Sequence, residues 1–286
     1  MPGPLLIVDA PSLLYRAFYA LPKSIKGSDG RPVNALLGMA NLVLQVVDAH
    51  APRATVLCFG AEAAAYRVEL FAGYHADRPE MPELLAHQWA DAPAFYAAFG
   101  WTTRHGGDLE ADDLLGSLAR IEHDAGGEAL LFTGDRDMFQ CVGERVRVLF
   151  PAKGGPDLLG PGEVLARYGV LPGEVPDLIA LRGDPSDGIP GAKGIGEKGA
   201  AELLRRYGDL DGVLAAAGEA TSAMTPRMRE SLTADPDLLR AFKDMATLRA
   251  IELERPPDAP LDRAGAAAAA RVRGMNRLAE RLGTTG

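Results

Sequence analysis

Apolar residues follow two alternating rhythms through the first 150 positions. Four short runs are apolar at almost every residue, LLIVD (5–9), TVLCF (55–59), ALLFT (129–133) and VRVLF (146–150), and the stretch from Trp101 to Arg104 also reads as a strand. Runs of that length without polar alternation predict strands buried on both faces. Between them lie segments with helical character, over 11–20, 33–49, 83–99 and 109–125. Strands separated by helices of this size predict an α/β fold: a mostly parallel sheet with helices on both faces. Between 60 and 82 both rhythms weaken, and AEAAAYRVELFAGYHADRPEMP mixes charges, aromatics and prolines. It is expected to form a partly helical excursion beyond the sheet edge. From 161 onward strand signals stop and short helices follow one another over 161–168, 174–182, 196–206 and 209–217. The division expected is an α/β domain over 1–160 and an all-helical region over 161–286.

Acidic residues recur where a strand ends or a helix begins. Asp9 closes LLIVD, Glu110, Asp112 and Asp113 stand in LEADD, Asp135 and Asp137 in LFTGDRD, and Asp184 and Asp187 in RGDPSDGIP. In parallel sheets ligands bind outside the carboxyl ends of the strands, where Asp9 and the Asp135/Asp137 pair fall by position. Each motif alone has an ordinary explanation: acids suit a first helical turn, and GD and DPSD are common turn sequences. Gathered in one crevice, eight carboxylates would repel each other, and divalent cations are the usual remedy. Glu110 and Asp113 are three apart and share a helix face, with Asp112 pointing elsewhere. An oxygen-only donor set favours Mg²⁺ or Mn²⁺ over zinc. Two such ions suit phosphodiester hydrolysis, and no Ser, Cys or His stands in an activated setting for nucleophilic catalysis.

A second feature is IPGAKGIGEKGAAELLRRYG, with Gly194, Gly196 and Gly199 before a helix and Lys193, Lys198, Arg205 and Arg206 around them. Glycines let backbone N–H groups approach a phosphate, and the lysines add charge without reading sequence. The alternative is a simple helix stop. No strand precedes it, so it is no dinucleotide fingerprint, and the spacing of a P-loop is absent.

Composition narrows the picture less. The 286 residues carry a net charge of −9, which argues against a protein that coats nucleic acid but not against a nuclease, since metals would neutralise the acids. No apolar run spans a bilayer and no signal peptide opens the chain, so no membrane partner and a cytoplasmic location are expected. Cys58 and Cys141 sit in apolar contexts and read as buried thiols.

Together these segments resemble the bacterial 5′→3′ exonuclease and flap endonuclease family, including the nuclease domain that precedes DNA polymerase I. The resemblance runs in order through LLIVDAPSLLYRAFYALP, PVNALLGMANLV, YRVELFAGYHADRPEMP, LEADDLLGSLA, LFTGDRDMFQCV and LIALRGDPSDGIPGAKGIGEKGAAELL, over residues 5 to 215. It implies a stand-alone, monomeric nuclease that acts on branched or nicked DNA with a 5′ single-stranded end, with an RNA primer as a further substrate. It implies two or more metals on the eight acids and catalytic roles for Arg16, His75, Asp135 and Asp137. DNA contacts are implied for Tyr15, Arg16, Arg67, Arg78, Lys193, Gly194, Gly196 and Lys198. The 67–95 region corresponds to a helical arch, and 188–207 to a helix–two-turn–helix element that also holds K⁺.

Two positions depart from the family. Phe59-Gly60 stands where Phe-Asp, a further metal ligand, is usual, and His75 stands where the arch usually has Lys. Glu62 lies two residues on, and its position suits direct ligation poorly. These departures support a second reading, a DNA-structure-binding protein that has lost catalysis. A phosphoaspartate receiver explains neither the glycine–lysine element nor DPSD.

Overall fold

The structure, a computed structural model, describes residues 3–220 and 222–284. Six strands form one sheet: β1 (Leu5–Asp9), β2 (Ala54–Phe59), β3 (Thr102–His105), β4 (Ala129–Phe132), β5 (Val146–Phe150) and β6 (Asp157–Leu159). Their order is β3-β2-β1-β4-β5-β6. The first five run parallel, and β6 adds antiparallel to β5. The sixth strand was not expected. It is three residues long with two of them exposed, too short for an apolar run to mark it.

The helices are α1 (Ala10–Ala20), α2 (Asn34–His50), α3 (Ala65–Leu70), α4 (Glu83–Ala97), α5 (Ala111–Asp124), α6 (Pro161–Tyr168) and α7 (Val175–Arg182). There follow α8 (Glu197–Tyr207), α9 (Leu210–Gly218), α10 (Pro226–Ala234), α11 (Pro236–Ala246), α12 (Arg263–Val272) and α13 (Asn276–Thr284). Side chains alternate across the sheet as the pleat requires. Leu5, Ile7, Val56 and Leu131 belong to the core shared with α5 and α6–α11, and Leu6, Val8, Leu57 and Phe132 to that shared with α1, α2 and α4. Burial on both faces is why the strands read as continuous apolar runs.

Two expectations on organisation change. The helices after 161 do not form one region: Ala266, Ala267, Ala270, Leu278 and Leu282 of α12 and α13 pack into the core beneath the opposite face of the sheet. There Arg273 pairs with Asp91 of α4 through Nε at 2.5 Å. The expected arch over 67–95 is also shorter than the sequence implied. Its second helix, α4, buries Leu85, Gln88, Ala92, Phe95 and Tyr96 in the body of the protein. The 71–82 segment between α3 and α4 consists of turns and extended chain.

The strand order reverses between β1 and β4. In a doubly wound sheet this leaves a crevice outside the carboxyl ends of those two strands, because the connections leave them in opposite directions. The candidate site lies there.

Candidate metal centre and nucleic-acid crevice

At the end of β1, Asp9 caps α1. Its Oδ1 accepts from Ser12 N–H at 3.0 Å, and its Oδ2 accepts from the Thr133 hydroxyl at 2.6 Å. Thr133 follows β4, so these bonds tie the two strand ends together across the switch point. Gly134 N–H donates to Ser12 Oγ, and Asp135 N–H to Thr133 Oγ1. Asp135 Oδ1 in turn accepts from Asp137 N–H at 2.8 Å. The acids at the β4 end are thus positioned by a relay of short polar side chains bonding backbone N–H groups, the local chemistry that favours turns over strand.

The crevice has a volume of about 780 Å³. Six of the eight acids named from the sequence line it: Asp9, Glu110, Asp112, Asp135, Asp184 and Asp187. Asp137 lies behind them, buried beside Asp135, Asp184 and Asp187. Burial raises the carboxyls of Asp9, Asp112 and Asp137, and for Asp112 and Asp137 the repulsion of neighbouring acids adds to it. Asp135 is pushed up to about 7 by burial first and by Asp187 next. Carboxylates crowded and desolvated in this way lack positive charge. The donors are all oxygen, which suits a hard divalent cation. Among the described residues no three His, Cys, Asp or Glu side chains already converge as a ligand group.

Glu110 and Asp113 differ from the rest. Arg67 is buried, with Nη1 3.0 Å from Glu110 Oε1 and Nη2 3.2 Å from Asp113 Oδ1. Its Nε donates to the Met245 carbonyl. Glu110 also accepts from Ala64 N–H and from the Tyr74 hydroxyl, and Asp113 from Arg249 N–H. Two expectations are corrected here. Asp113 points away from the crevice into a junction of α3, α5 and the chain after α11, where it is fully buried. Arg67, expected on DNA, is enclosed by the acids it neutralises. The shared helix face of Glu110 and Asp113 is real, and Arg67 is what occupies it.

Gly60 lines the crevice at the end of β2. A Cβ added there would lie 2.3 Å from Ala111 N, 2.4 Å from Glu110 C and 2.6 Å from Leu109 O. Ala61 N–H donates to the Leu109 carbonyl, and Gly106 N–H to that of Phe59, holding the 106–111 backbone against the strand end. The position expected to hold another carboxylate is filled by main chain. Glu62 also lines the crevice.

His75 adopts a left-handed φ of 53°, and its N–H donates to the Asp187 carbonyl at 3.0 Å. Its ring stacks on Tyr74, with Nδ1 2.8 Å from the Glu62 carbonyl and Nε2 3.0 Å from Asp187 Oδ1. Both ring nitrogens face acceptors, so both bonds form only when each carries a hydrogen. Gly188, at φ 76°, admits this approach: a Cβ would meet the Gly73 carbonyl at 2.6 Å.

Of the remaining expected residues, Tyr15 and Arg78 line the crevice. Arg16 is exposed outside its lining, donating to the Pro151 carbonyl. Lys193, Gly194 and Gly196 are exposed in the turns between α7 and α8, with Gly194 left-handed at φ 82°, and Lys198 is exposed in the first turn of α8. Those turns close tightly, since a Cβ at Gly191 would meet Gly183 N at 2.2 Å. Among the lining residues that the sequence reading did not single out are Met81, Trp89, Arg136 and Arg182. Arg182 pairs with Asp184 and with Glu197 of α8, linking the acid loop to the glycine–lysine turns. Its place in LIALRGDPSD, beside a named acid, was the available signal.

Known proteins agree with this architecture. The model of the 5′-3′ exonuclease N-terminal resolvase-like domain matches residues 4–169, and that of the 5′-3′ exonuclease C-terminal SAM fold matches 170–263. A 5′-3′ exonuclease of Streptomyces coelicolor is 36% identical, with 98% of this chain and 99% of that protein covered. One from Mycobacterium tuberculosis is 35% identical over 90% of this chain and 88% of its own length. DNA polymerase I of Mycobacterium leprae is 39% identical over 73% of this chain, a stretch that makes up 23% of the polymerase. In fold, T5 5′-exonuclease with bound zinc superposes with a TM-score of 0.71 at 16% identity, covering 98% of both chains. The catalytic core of Rad2 in complex with a DNA substrate gives 0.67 at 14% identity, covering 98% of this chain and 91% of that one. With both domain models matched in sequence and end-to-end relatives at this identity, the chain belongs to the 5′-3′ exonuclease family.

Proposed function

We propose that this chain hydrolyses a phosphodiester near the 5′ end of branched or nicked duplex DNA, with divalent cations held in the switch-point crevice. The observation that carries the reading is the row of six acids facing one crevice, with the carboxyls of Asp9, Asp112 and Asp135, and of Asp137 behind them, raised first by burial. Asp9, Asp112, Asp135, Asp184 and Asp187 would hold Mg²⁺ or Mn²⁺, with Asp137 supporting Asp135 from behind. Glu110 contributes through an orientation fixed by Arg67, Ala64 and Tyr74. The ions, when bound, supply Lewis-acid activation of water and stabilise the leaving oxygen.

The chain's own residues supply the rest. Arg78, Arg136 and Arg182 line the same crevice and offer charge to the phosphates. His75 with both nitrogens protonated offers a cation where the family usually has Lys. Tyr15 stands beside the path of an unpaired nucleotide, and Arg16 reaches the backbone beyond the crevice. The exposed Lys193 and Lys198, with the N–H groups around Gly194 and Gly196, grip duplex phosphates without reading bases. A K⁺ ion at those turns, an RNA primer as a 5′ strand, a monomeric state and a cytoplasmic location complete the proposal. No helix among the described residues is long and apolar enough to cross a membrane.

The test is a gel assay of 5′-labelled flap, nicked and single-stranded substrates across Mg²⁺ and Mn²⁺. Metal-dependent product near the 5′ junction supports the proposal. Gly60 favours one alternative, a binding protein without catalysis, because main chain closes the place of a ligand. No product at any metal level would select it.

A further inference from the structure

We propose that Trp89 is a stacking platform for a nucleobase next to the scissile phosphate, an assignment that rests on the nuclease reading above. The crevice is not lined by acids alone. Pro11, Tyr15, Pro79, Met81 and Trp89 give part of its wall an apolar and aromatic character. Tyr15 meets Trp89 edge-to-face at 6.1 Å, and Trp89 meets Phe59 edge-to-face at 5.4 Å. Phe59 is the buried last residue of β2, so the aromatic row starts in the core and ends in the crevice.

The helix that carries Trp89 is anchored beside it. Gln88, its neighbour on α4, is buried and tied to α2: its Oε1 accepts from Ala35 N–H at 2.7 Å and its Nε2 donates to Asn34 Oδ1 at 3.1 Å. The chain has two tryptophans, and they differ in the way the inference requires. Trp101 is buried and stacked on Tyr96 in the core. Trp89 is half-buried and lines the crevice, an amphipathic ring with one side on the core and one on the open site. Phosphate, sugar and base of one nucleotide each find matching chemistry here: arginines for the first, polar walls for the second, an aromatic row for the third. The volume of about 780 Å³ lies within the roughly 300–1,000 Å³ of pockets that enclose an organic ligand. Stacking on an aromatic face accepts every base, so the platform would select an unpaired nucleotide and ignore its sequence.

The full chain is tested with Ca²⁺ in place of Mg²⁺, so that binding is read without cleavage. Subtracting the emission of W89F from that of the parent isolates the Trp89 signal. A single-stranded oligonucleotide should quench it, and an abasic sugar–phosphate chain of the same length and charge should not. W89A should weaken binding of a base-bearing flap by roughly 5- to 150-fold, leave a flap with an abasic residue beside the scissile phosphate unchanged, and be largely rescued by W89F. Equal quenching by both chains, or equal weakening of both flaps, would overturn the platform and leave Trp89 a support for Phe59. The two readings separate in Mg²⁺. If the parent cleaves while base discrimination is absent, only the platform falls; if discrimination is present while the parent cleaves nothing, only the nuclease reading falls.

Discussion

Restoring the missing acid at Gly60 is the natural experiment, and the structure says it fails. An added Cβ would sit 2.3 Å from Ala111 N and 2.4 Å from Glu110 C, both main-chain atoms of the start of α5. Favourable contact between such atoms is about 3.5–4.0 Å, so something must move by roughly 1 Å. A side-chain rotation cannot relieve it, because the obstacle is backbone held by the Ala61 and Gly106 hydrogen bonds. Overpacking typically costs about 1–3 kcal/mol, and an obstacle of this kind belongs at the upper end. Removing glycine from the unfolded chain returns about 0.4–1 kcal/mol, leaving Gly60→Ala destabilised by about 2 kcal/mol. The melting point should fall by roughly 4–8 °C for a chain of this size or slightly less. Glu110 and Asp112 ride on the displaced turn, and a misplacement near 1 Å costs on the order of 100-fold in rate. Gly60→Asp should therefore be less stable than the parent and cleave more slowly. Urea unfolding and single-turnover flap cleavage measure both. A Gly60→Asp variant as stable as the parent and faster would refute the reasoning, showing that the turn yields and the absent ligand limits activity.

Three further outcomes follow from the same geometry. Arg67→Met should destabilise by about 3–5 kcal/mol in urea unfolding, because it leaves Glu110 and Asp113 as buried charges without their partner; a loss under 1 kcal/mol would show the junction tolerates them. In EDTA the protein should lose stability as pH rises: Asp135 titrates near 3.8 when unfolded and about 7 when folded, so between these values the native state binds more protons. Its contribution is complete below 3.8 and gone above about 7, and thermal melts should show Mg²⁺ stabilising more at pH 8 than at pH 5; a Mg²⁺ effect that shrinks with pH would contradict the metal assignment. Replacing Lys193 or Lys198 by Ala should weaken duplex binding alike for all sequences and lower the salt slope by about 1, measured by anisotropy; an unchanged slope would remove that lysine from the phosphate contacts.

The sequence made legible what is local or strictly periodic. Apolar runs placed β1, β2, β4 and β5 because both faces of the sheet are buried there, and Asp9 and Asp135 could be assigned to strand ends from that alone. Contacts between distant segments were not legible. Nothing in LEADD shows that Arg67, 46 positions from Asp113, turns that acid away from the crevice. Nothing in TVLCFG shows that the 109–111 backbone closes on Gly60. Alanine is a good helix former wherever it stands, so a run of it does not show that Ala266, Ala267 and Ala270 of α12 pack in the core. Trp89 carried no motif, and only the fold brings it beside Tyr15.

The central claim is that the acids of the β1/β4 crevice act through bound metal on a 5′ end. Its most direct measurement compares the parent with Asp135→Asn on one 5′-labelled flap, reading cleavage in Mg²⁺ and Mn²⁺ and binding in Ca²⁺. The parent should cut near the junction only with metal, and Asp135→Asn should lose cleavage while binding the flap as tightly. A variant that cuts as fast as the parent would contradict the assignment.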